Sequence, residues 1–293
     1  MSGLRSAPRV GLICTGIRPE ERMLVEAFRA RGVEVATAND RDVHGLLNRW
    51  PIGLPEVDAV VLRAKSHWRN AALAKWFESF GTITVNPSSV IETCGDKVAT
   101  TLALVTAGVS TLPSAVCFSP DSGQGAADTV GFPLVVKPVV GSWGRLIGKI
   151  SDRYALETIL EHKQAVGGAP HAVTYLQEFI ESGGRDVRSF VVDGQCVAAI
   201  ERSSDQWRTN TALGAKATSV DVTGELAAIS VAAAEAVGGG AVAVDLFETD
   251  AGYVVNEVNG SMEFRNSVGT TGVDIPGAMA DYVIRQAHAV LVS

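Results

Sequence analysis

Cysteine is scarce in this sequence, and what there is follows no metal-binding pattern. Cys14, Cys94, Cys117 and Cys196 lie far apart, no Cys-x-x-Cys occurs, and the five histidines are equally scattered. That leaves no basis for a zinc module or a disulfide-stapled scaffold and points to reduced thiols in or near a core. Long hydrophobic runs are missing too, so no segment spans a bilayer. The N-terminal MSGLRSAPRVGLICTGIRPEERM has neither the apolar length nor the cleavage pattern of a secretory signal, and a cytoplasmic protein is expected. Positive charge is not in excess: the net charge of -7 argues against a nucleic-acid-binding surface. Finally, no Gly-x-Gly-x-x-Gly follows the first strand candidate and no Walker loop is present, so two familiar nucleotide signatures are absent.

What is there is a chain of 293 residues with 46% hydrophobic and 19% charged residues, enough for two or three units with real cores. The first third alternates. RVGLICTG, VEVAT and AVVLRA read as strands and PEERMLVEAFRARG as a helix, which suggests a small parallel α/β unit. Beyond Asn86 the texture changes. Ser88 or Ser89 caps a helical stretch that carries Asp96 and Lys97, and SPDSGQGAADTVG reads as a surface loop with a short helix. FPLVVKPVVGSWGRLIGKI predicts a hairpin with a Gly-rich turn. RDVRSFVVDGQCVAAIERS predicts another about Asp193-Gly194, and DIPGAMADYVIRQAHAVLV a closing helix. The expected division is residues 1–90, 91–176 and 177–293.

Four stretches carry chemistry. In VAVDLFETDAGYVVNEVN, a three-residue loop Asp250-Ala251-Gly252 would pair Thr249 with Tyr253. Counting outward by twos, Asp245 faces Glu257 and Ala243 faces Asn259, so Asp245, Glu257 and Asn259 share one side. Two opposed carboxylates make sense around a hard divalent cation, Mg2+ or Mn2+; a solvated polar face is the plain alternative. In FPLVVKPVVGSWGR, Lys137 sits in an apolar strand and wants an anion, and Gly141-Ser142-Trp143-Gly144 offers bare backbone N–H groups suited to phosphate. A tight turn with a snorkelling lysine is the alternative. YLQEFIE ends a strand with groups able to meet an adenine edge and a ribose, or is a simple strand-to-loop transition. Arg185, Arg188, Arg202, Arg208, Asn210 and Thr211 cluster on or beside one hairpin, as bidentate donors for phosphoryl and carboxylate groups or as surface ion pairs.

Taken in order, Lys97, Lys137 with its Gly-rich hairpin, the Gln-Glu-Phe-Ile connector, RDVR, and Asp245 with Glu257-Val-Asn259 resemble the ATP-grasp fold. The closer resemblance is to its RimK-like branch and, within that, to the LysX-type ligases of carrier-protein-dependent lysine biosynthesis. It rests on IRPEERML, VIETCGDKVATTLALVTAGV, GRDVRSFVV, AEAVGGGAVAVDLFE and NEVNGSMEFRNSVGTTGVDIP, and covers most of the chain from Val90 onward plus one N-terminal patch. It implies an α/β (α+β) ATP-grasp protein with a Rossmann-like N-terminal domain, in which a central and a C-terminal domain clasp ATP. A carboxylate becomes an acylphosphate, which an amine then attacks.

By the same resemblance, Lys97, Lys137, Gly141, Ser142, Gly144 and Arg185 hold the phosphates. Gln177, Glu178, Phe179 and Ile180 line the nucleoside end. Asp245, Glu257 and Asn259 bind two Mg2+ ions, with Mn2+ a substitute. Lys137, Arg188, Arg202 and Asn210 form the catalytic set. Arg202, Asn210, Thr211, Asn259, Gly260, Ser261, Glu263, Phe264 and Asn266 handle the amino acid, with Met262 near the acceptor. The implied partners are a small acidic LysW-like carrier ending in glutamate and an amino acid, aminoadipate or a relative, with a homo-oligomer expected. Arg63, Lys65, His67 and Arg69 are candidates for the carrier's landing site, or a solvated face. A ligase adding glutamate to a protein or peptide tail is the alternative. The sequence departs from the LysX pattern in RAKSHWRN and at Asn259-Gly260-Ser261, where an Asn-His-Thr is expected. Gly260 is expected to make room for a bulkier or more polar amine.

Overall fold

The strand Val10–Cys14 (β1) is buried along its whole length, as is Ala59–Arg63 (β3), because helices cover both faces of their sheet. The structure is a computed structural model that describes residues 7–141, 145–168, 171–209 and 214–292. With Val35–Asn39 (β2) and Ile83–Val85 (β4), these strands form a parallel sheet in the order β2-β1-β3-β4. Pro19–Ala30 (α1) covers one face through Leu24 and Phe28. His67–Glu78 (α2) covers the other through Ala74 and Phe77. The strand order reverses between β1 and β3, and the crevice beyond the carboxyl ends of such a pair is where open α/β sheets place ligands.

The helical stretch after Asn86 is two helices, Ser88–Gly95 (α3) and Lys97–Thr106 (α4). Asp96 adopts an extended backbone between them, and its carboxylate accepts from the amides of Val98 and Ala99. Lys97 is therefore the first residue of α4. It lies at a helix start beside the second sheet, where its own amide donates to the carbonyl of Val139.

That second sheet holds Ser114–Cys117 (β5), Leu134–Pro138 (β6), Gly148–Ile150 (β7) and Thr174–Glu178 (β8) in the order β5-β8-β6-β7. Pro120–Val130 (α5) and Arg153–Val166 (α6) pack on one face against Leu134, Val136, Ile150 and Leu176. Strand alternation sends Lys137 and Gln177 to the other face. The segment read as a loop with a short helix is the full 11-residue α5, started by the Ser119 hydroxyl accepting from the Ser122 amide. The expected β6–β7 hairpin is present; Ser142 and Gly144, in its turn, lie outside the described residues.

Arg185–Val192 (β9), Gln195–Ser203 (β10), Lys216–Val220 (β11), Ala241–Thr249 (β12) and Gly252–Asn259 (β13) form an antiparallel sheet in the order β11-β10-β9-β12-β13. Asp193 and Gly194 join β9 to β10 with φ of 52° and 71°, the left-handed pair that a two-residue hairpin turn requires. Gly224–Ala236 (α7) fills one face. Arg265–Thr271 (α8) follows β13, and Ile275–Val292 (α9) closes the chain. Met279 and Val283 of α9 share one core with Phe190 and Ile200 of this sheet and Val10 and Leu12 of the first, which fixes the two sheets against each other. No helix among the described residues is long and apolar enough to cross a membrane.

Candidate functional site

A cleft of about 750 Å³ opens where the three sheets meet. It collects most of the residues singled out in the sequence. Lys97, Lys137, Gly141, Gln177, Glu178, Phe179, Ile180, Arg188, Arg202, Asp245, Glu257, Asn259, Gly260, Ser261, Glu263 and Asn266 all line it.

Lys137 is 8% exposed, and its ammonium donates to Gln177 Oε1 and, at 3.0 Å, to Asn256 Oδ1. Both partners are neutral. Burial lowers its pKa to about 8, with Lys97 adding to the effect and Glu257 and Asp245 opposing it. A buried cation with amide partners is a site for an anion. Lys97 donates to the Gly141 carbonyl at 3.0 Å and lies 3.4 Å from Glu257, so it ties the start of the Gly-rich turn to the carboxylate side.

Asp245 accepts from Arg188 Nε at 2.6 Å and Nη2 at 2.7 Å, and Arg202 Nη2 stands 3.3 Å away. Burial alone would favour the neutral acid, but Arg188 and Arg202 outweigh it and hold Asp245 down to about 2. Asn259 Nδ2 approaches Asp245 Oδ2 at 3.4 Å. Asp245 pairs with Glu257 and Ala243 with Asn259, as the count by twos requires. The turn differs. Thr249 pairs with Gly252 rather than Tyr253, and a bulge leaves Asn256 without a partner in the ladder, which restores the register at the carboxylates. That bulge also delivers Asn256 to Lys137, a contact the sequence reading missed.

Among the described residues, no group of three or more His, Cys, Asp or Glu side chains converges. The candidate donors are two carboxylates and one amide, which suits Mg2+: a hard ion that keeps waters and takes phosphate oxygens as its remaining ligands. In this structure Arg188 and Lys97 stand against those two carboxylates and supply the positive charge that such ions would bring. The donor set fits the ion.

Where Gln177, Glu178, Phe179 and Ile180 line the cleft, the Phe179 ring meets the Lys149 ammonium, 3.6 Å from its centroid, and Trp207, 6.0 Å away edge-on. Arg208 donates to the carbonyl of Ile147 at 2.7 Å, joining the segment after β10 to the one before β7.

Where the first sheet meets the cleft, Arg18 binds Glu21 at 2.8 Å and Glu263 at 2.9 Å, and Arg63 binds Glu21 at 2.7 Å and the Met262 carbonyl at 2.9 Å. Glu21 is fully buried; burial opposes its charge, but Arg18 and Arg63 keep its pKa below the usual range. Burial raises Glu263, helped by Glu20 and resisted by Arg63 and Arg18.

Four expectations need correction. Arg185 does not reach the cleft: alternation along β9 puts Asp186 and Arg188 on the cleft face and Arg185 on the other, where it is exposed. Phe264 is fully buried in the core with Met262 and lies beneath the Arg63 guanidinium, so its ring serves packing rather than the amino acid. Arg63 is 2% exposed, and so belongs to the buried network rather than to a landing surface; Arg69 pairs with Asp40 at 2.7 Å, while Lys65 and His67 line the cleft. Gly260 does not clear space for a substrate. A Cβ built there meets Cys94 Cβ at 3.2 Å, so its missing side chain admits helix α3. Asn210 and Thr211 lie outside the described residues. Arg202 lines the cleft, but its guanidinium binds Asp186, Nε at 2.7 Å. Asp186 went unremarked in the sequence, although sharing a strand face with Arg188 marks it.

Comparison with known proteins decides the family. The model of the RimK-like ATP-grasp domain matches residues 94–283, and that of the LysX preATP-grasp domain matches residues 10–93. The chain belongs to the RimK-like ATP-grasp family. It is therefore an ATP-dependent ligase that forms amide bonds and works with ATP and Mg2+. A glutamate–LysW ligase, ArgX, of Sulfolobus acidocaldarius is 31% identical over 94% of this chain and 98% of its own length. An alpha-aminoadipate–LysW ligase, LysX, of Sulfurisphaera tokodaii is 31% identical over 94% of this chain and 97% of its own. Among solved structures, a RimK domain ATP-grasp protein from Sphaerobacter thermophilus superposes with a TM-score of 0.77 at 28% identity, over 94% of this chain and 99% of that one.

Proposed function

We propose that this ATP-grasp ligase activates the side-chain carboxylate of a C-terminal glutamate on a small acidic LysW-like carrier protein and joins it to the α-amino group of an amino acid. Aminoadipate, glutamate or a related amino acid is the amine. The observation that carries this reading is the pairing of both family models along one chain. Residues 10–93 match the LysX type of preATP-grasp domain, and two relatives that each cover 94% of the chain are LysW ligases.

The chemistry follows from the cleft. Lys137, buried among neutral amides, and Lys97, at the start of α4 and bonded to the Gly141 carbonyl, receive the ATP phosphates. Phe179 and Ile180 cover the base. Asp245, Glu257 and Asn259 would hold the cations, two Mg2+ with Mn2+ able to replace them, and these would supply neutralisation of phosphate charge. Arg188 stabilises the phosphoryl group as a carrier carboxylate oxygen attacks the γ-phosphorus and ADP leaves. The amine then attacks the acyl carbon, inorganic phosphate departs and a proton is lost. Closure of the cleft protects the acylphosphate from water. Glu263, Ser261 and Asn266 line the end of the cleft where the amine arrives.

The test is phosphate release with Mg-ATP and a carrier ending in glutamate, across a panel of amino acids, with the intact mass of the carrier as readout. A mass gain of one amino acid minus water is expected. A gain seen only on a ribosomal-tail or free peptide acceptor would replace the carrier reading with the peptide-tail one. ATP bound but never cleaved with any acceptor would overturn both.

A further inference from the structure

Two arginines contact Asp245, and a cation that is to use this carboxylate must displace one of them. The two are held very differently. The hydrogen bonds of Arg188 among the described residues go to Asp245, and its side chain is 14% exposed toward the cleft. Arg202 is 3% exposed and is gripped on a second side by Asp186, through both Nε and Nη2. Asp186 is itself buried, 5% exposed, and its Oδ2 also accepts from the Thr209 hydroxyl at 2.6 Å. The result is a chain of alternating charge, Asp186–Arg202–Asp245–Arg188, with Arg188 as its more exposed end.

We propose that Asp186 is a positioning residue for the cation site: by anchoring Arg202, it leaves Arg188 as the arginine that yields Asp245 to the metal and turns to the phosphoryl group. Without Asp186, Arg202 would be a buried guanidinium with Asp245 as the remaining carboxylate beside it. It would close from 3.3 Å onto both oxygens, and the cation would compete with two arginines instead of one. Thr209 strengthens the anchor, since its bond fixes the rotamer of Asp186. It also ties this chain of charges to the segment carrying Trp207 and Arg208, which lines the cleft.

This inference rests on Asp245 as a cation ligand, and the experiment separates the two claims. Mn2+ is titrated into the ADP-saturated protein, with free Mn2+ read by electron paramagnetic resonance, for the parent chain, Asp245→Asn, Asp186→Asn, Arg202→Met and the double variant Asp186→Asn/Arg202→Met. Asp186→Asn is expected to weaken Mn2+ binding tenfold or more. Arg202→Met is expected to bind Mn2+ at least as tightly as the parent, and the double variant to recover at least most of what Asp186→Asn loses. A merely structural role gives no such recovery. Unchanged binding in Asp186→Asn, or a loss that persists once Arg202 is gone, overturns the positioning role while leaving the ligand reading intact. Unchanged binding in Asp245→Asn overturns the ligand reading itself. If Asp186→Asn does not fold, Arg202→Met alone decides: weaker Mn2+ binding than the parent sinks the proposal.

Discussion

Lys137 and Arg63 are both buried cations, 8% and 2% exposed, set in neighbouring sheets, and their partners could hardly differ more. Arg63 donates to the carboxylate of Glu21 and to a carbonyl, and its face rests on Phe264. Lys137 donates to two side-chain amides. An arginine whose charge is already balanced inside the fold belongs to the scaffold. A lysine whose charge is solvated but not balanced is held ready for an anion that arrives later. Burial alone does not separate the two; the charge of the partner does.

The comparison breaks most visibly under substitution. Lys137→Met should lower kcat/KM for ATP by about a thousandfold, about 4 kcal/mol of lost transition-state stabilisation, while leaving the melting temperature unchanged or raised. Arg63→Met should do the reverse. It takes one of two arginines from the Glu21 carboxylate, which is 0% exposed and keeps Arg18, and should cost about 1.5–3 kcal/mol of stability. Denaturant melts of both variants beside steady-state kinetics of the folded fraction measure this. If Lys137→Met melts early at full activity, the distinction between site and scaffold is wrong.

A smaller and sharper effect comes from pH. Lys137 falls from 10.5 in an unfolded chain to about 8 in the fold. Between those values the unfolded chain binds more protons, so this group makes the nucleotide-free protein more stable as pH rises through that window. ATP needs the ammonium, so affinity must move the other way and fall above pH about 8. The difference between parent and Lys137→Met isolates both slopes from other titrating groups. Lys137→Arg should abolish them, because a guanidinium stays charged.

The same contrast explains what was legible in the sequence. Lys137 was visible because a charge inside an apolar strand violates the local pattern, and Asp245 and Glu257 because two carboxylates had to face each other. Alternation then sorted the second sheet correctly. The register count reached the right pair through a turn that is one residue off, since Thr249 pairs with Gly252 and the bulge at Asn256 restores the difference. A bulge leaves no mark on a residue pattern, so Asn256 could not be found from it. Arg63 and Phe264 were misplaced for a common reason. Each is oriented by a partner distant in sequence, Glu21 and Arg63 respectively, and only the assembled sheets bring those partners in.

The smallest effect concerns a residue that has no side chain. Gly260 lines the cleft one position after Asn259, which made it an attractive determinant of amine size. Its backbone is not in the left-handed region, so alanine meets no conformational strain there. The added methyl would stand 3.2 Å from Cys94 Cβ, tight enough that α3 must give by a few tenths of an ångström. Overpacking of that size costs about 1–3 kcal/mol. Gly260→Ala should therefore lower the melting midpoint by a few degrees and leave the ranking of amino-acid substrates as it was, because the new atom points at the helix and not at the amine. Pairing it with Cys94→Ala, which removes the thiol from the same contact region, should return part of the stability. A changed ranking of amines in the folded Gly260→Ala protein would move this position from scaffold to site.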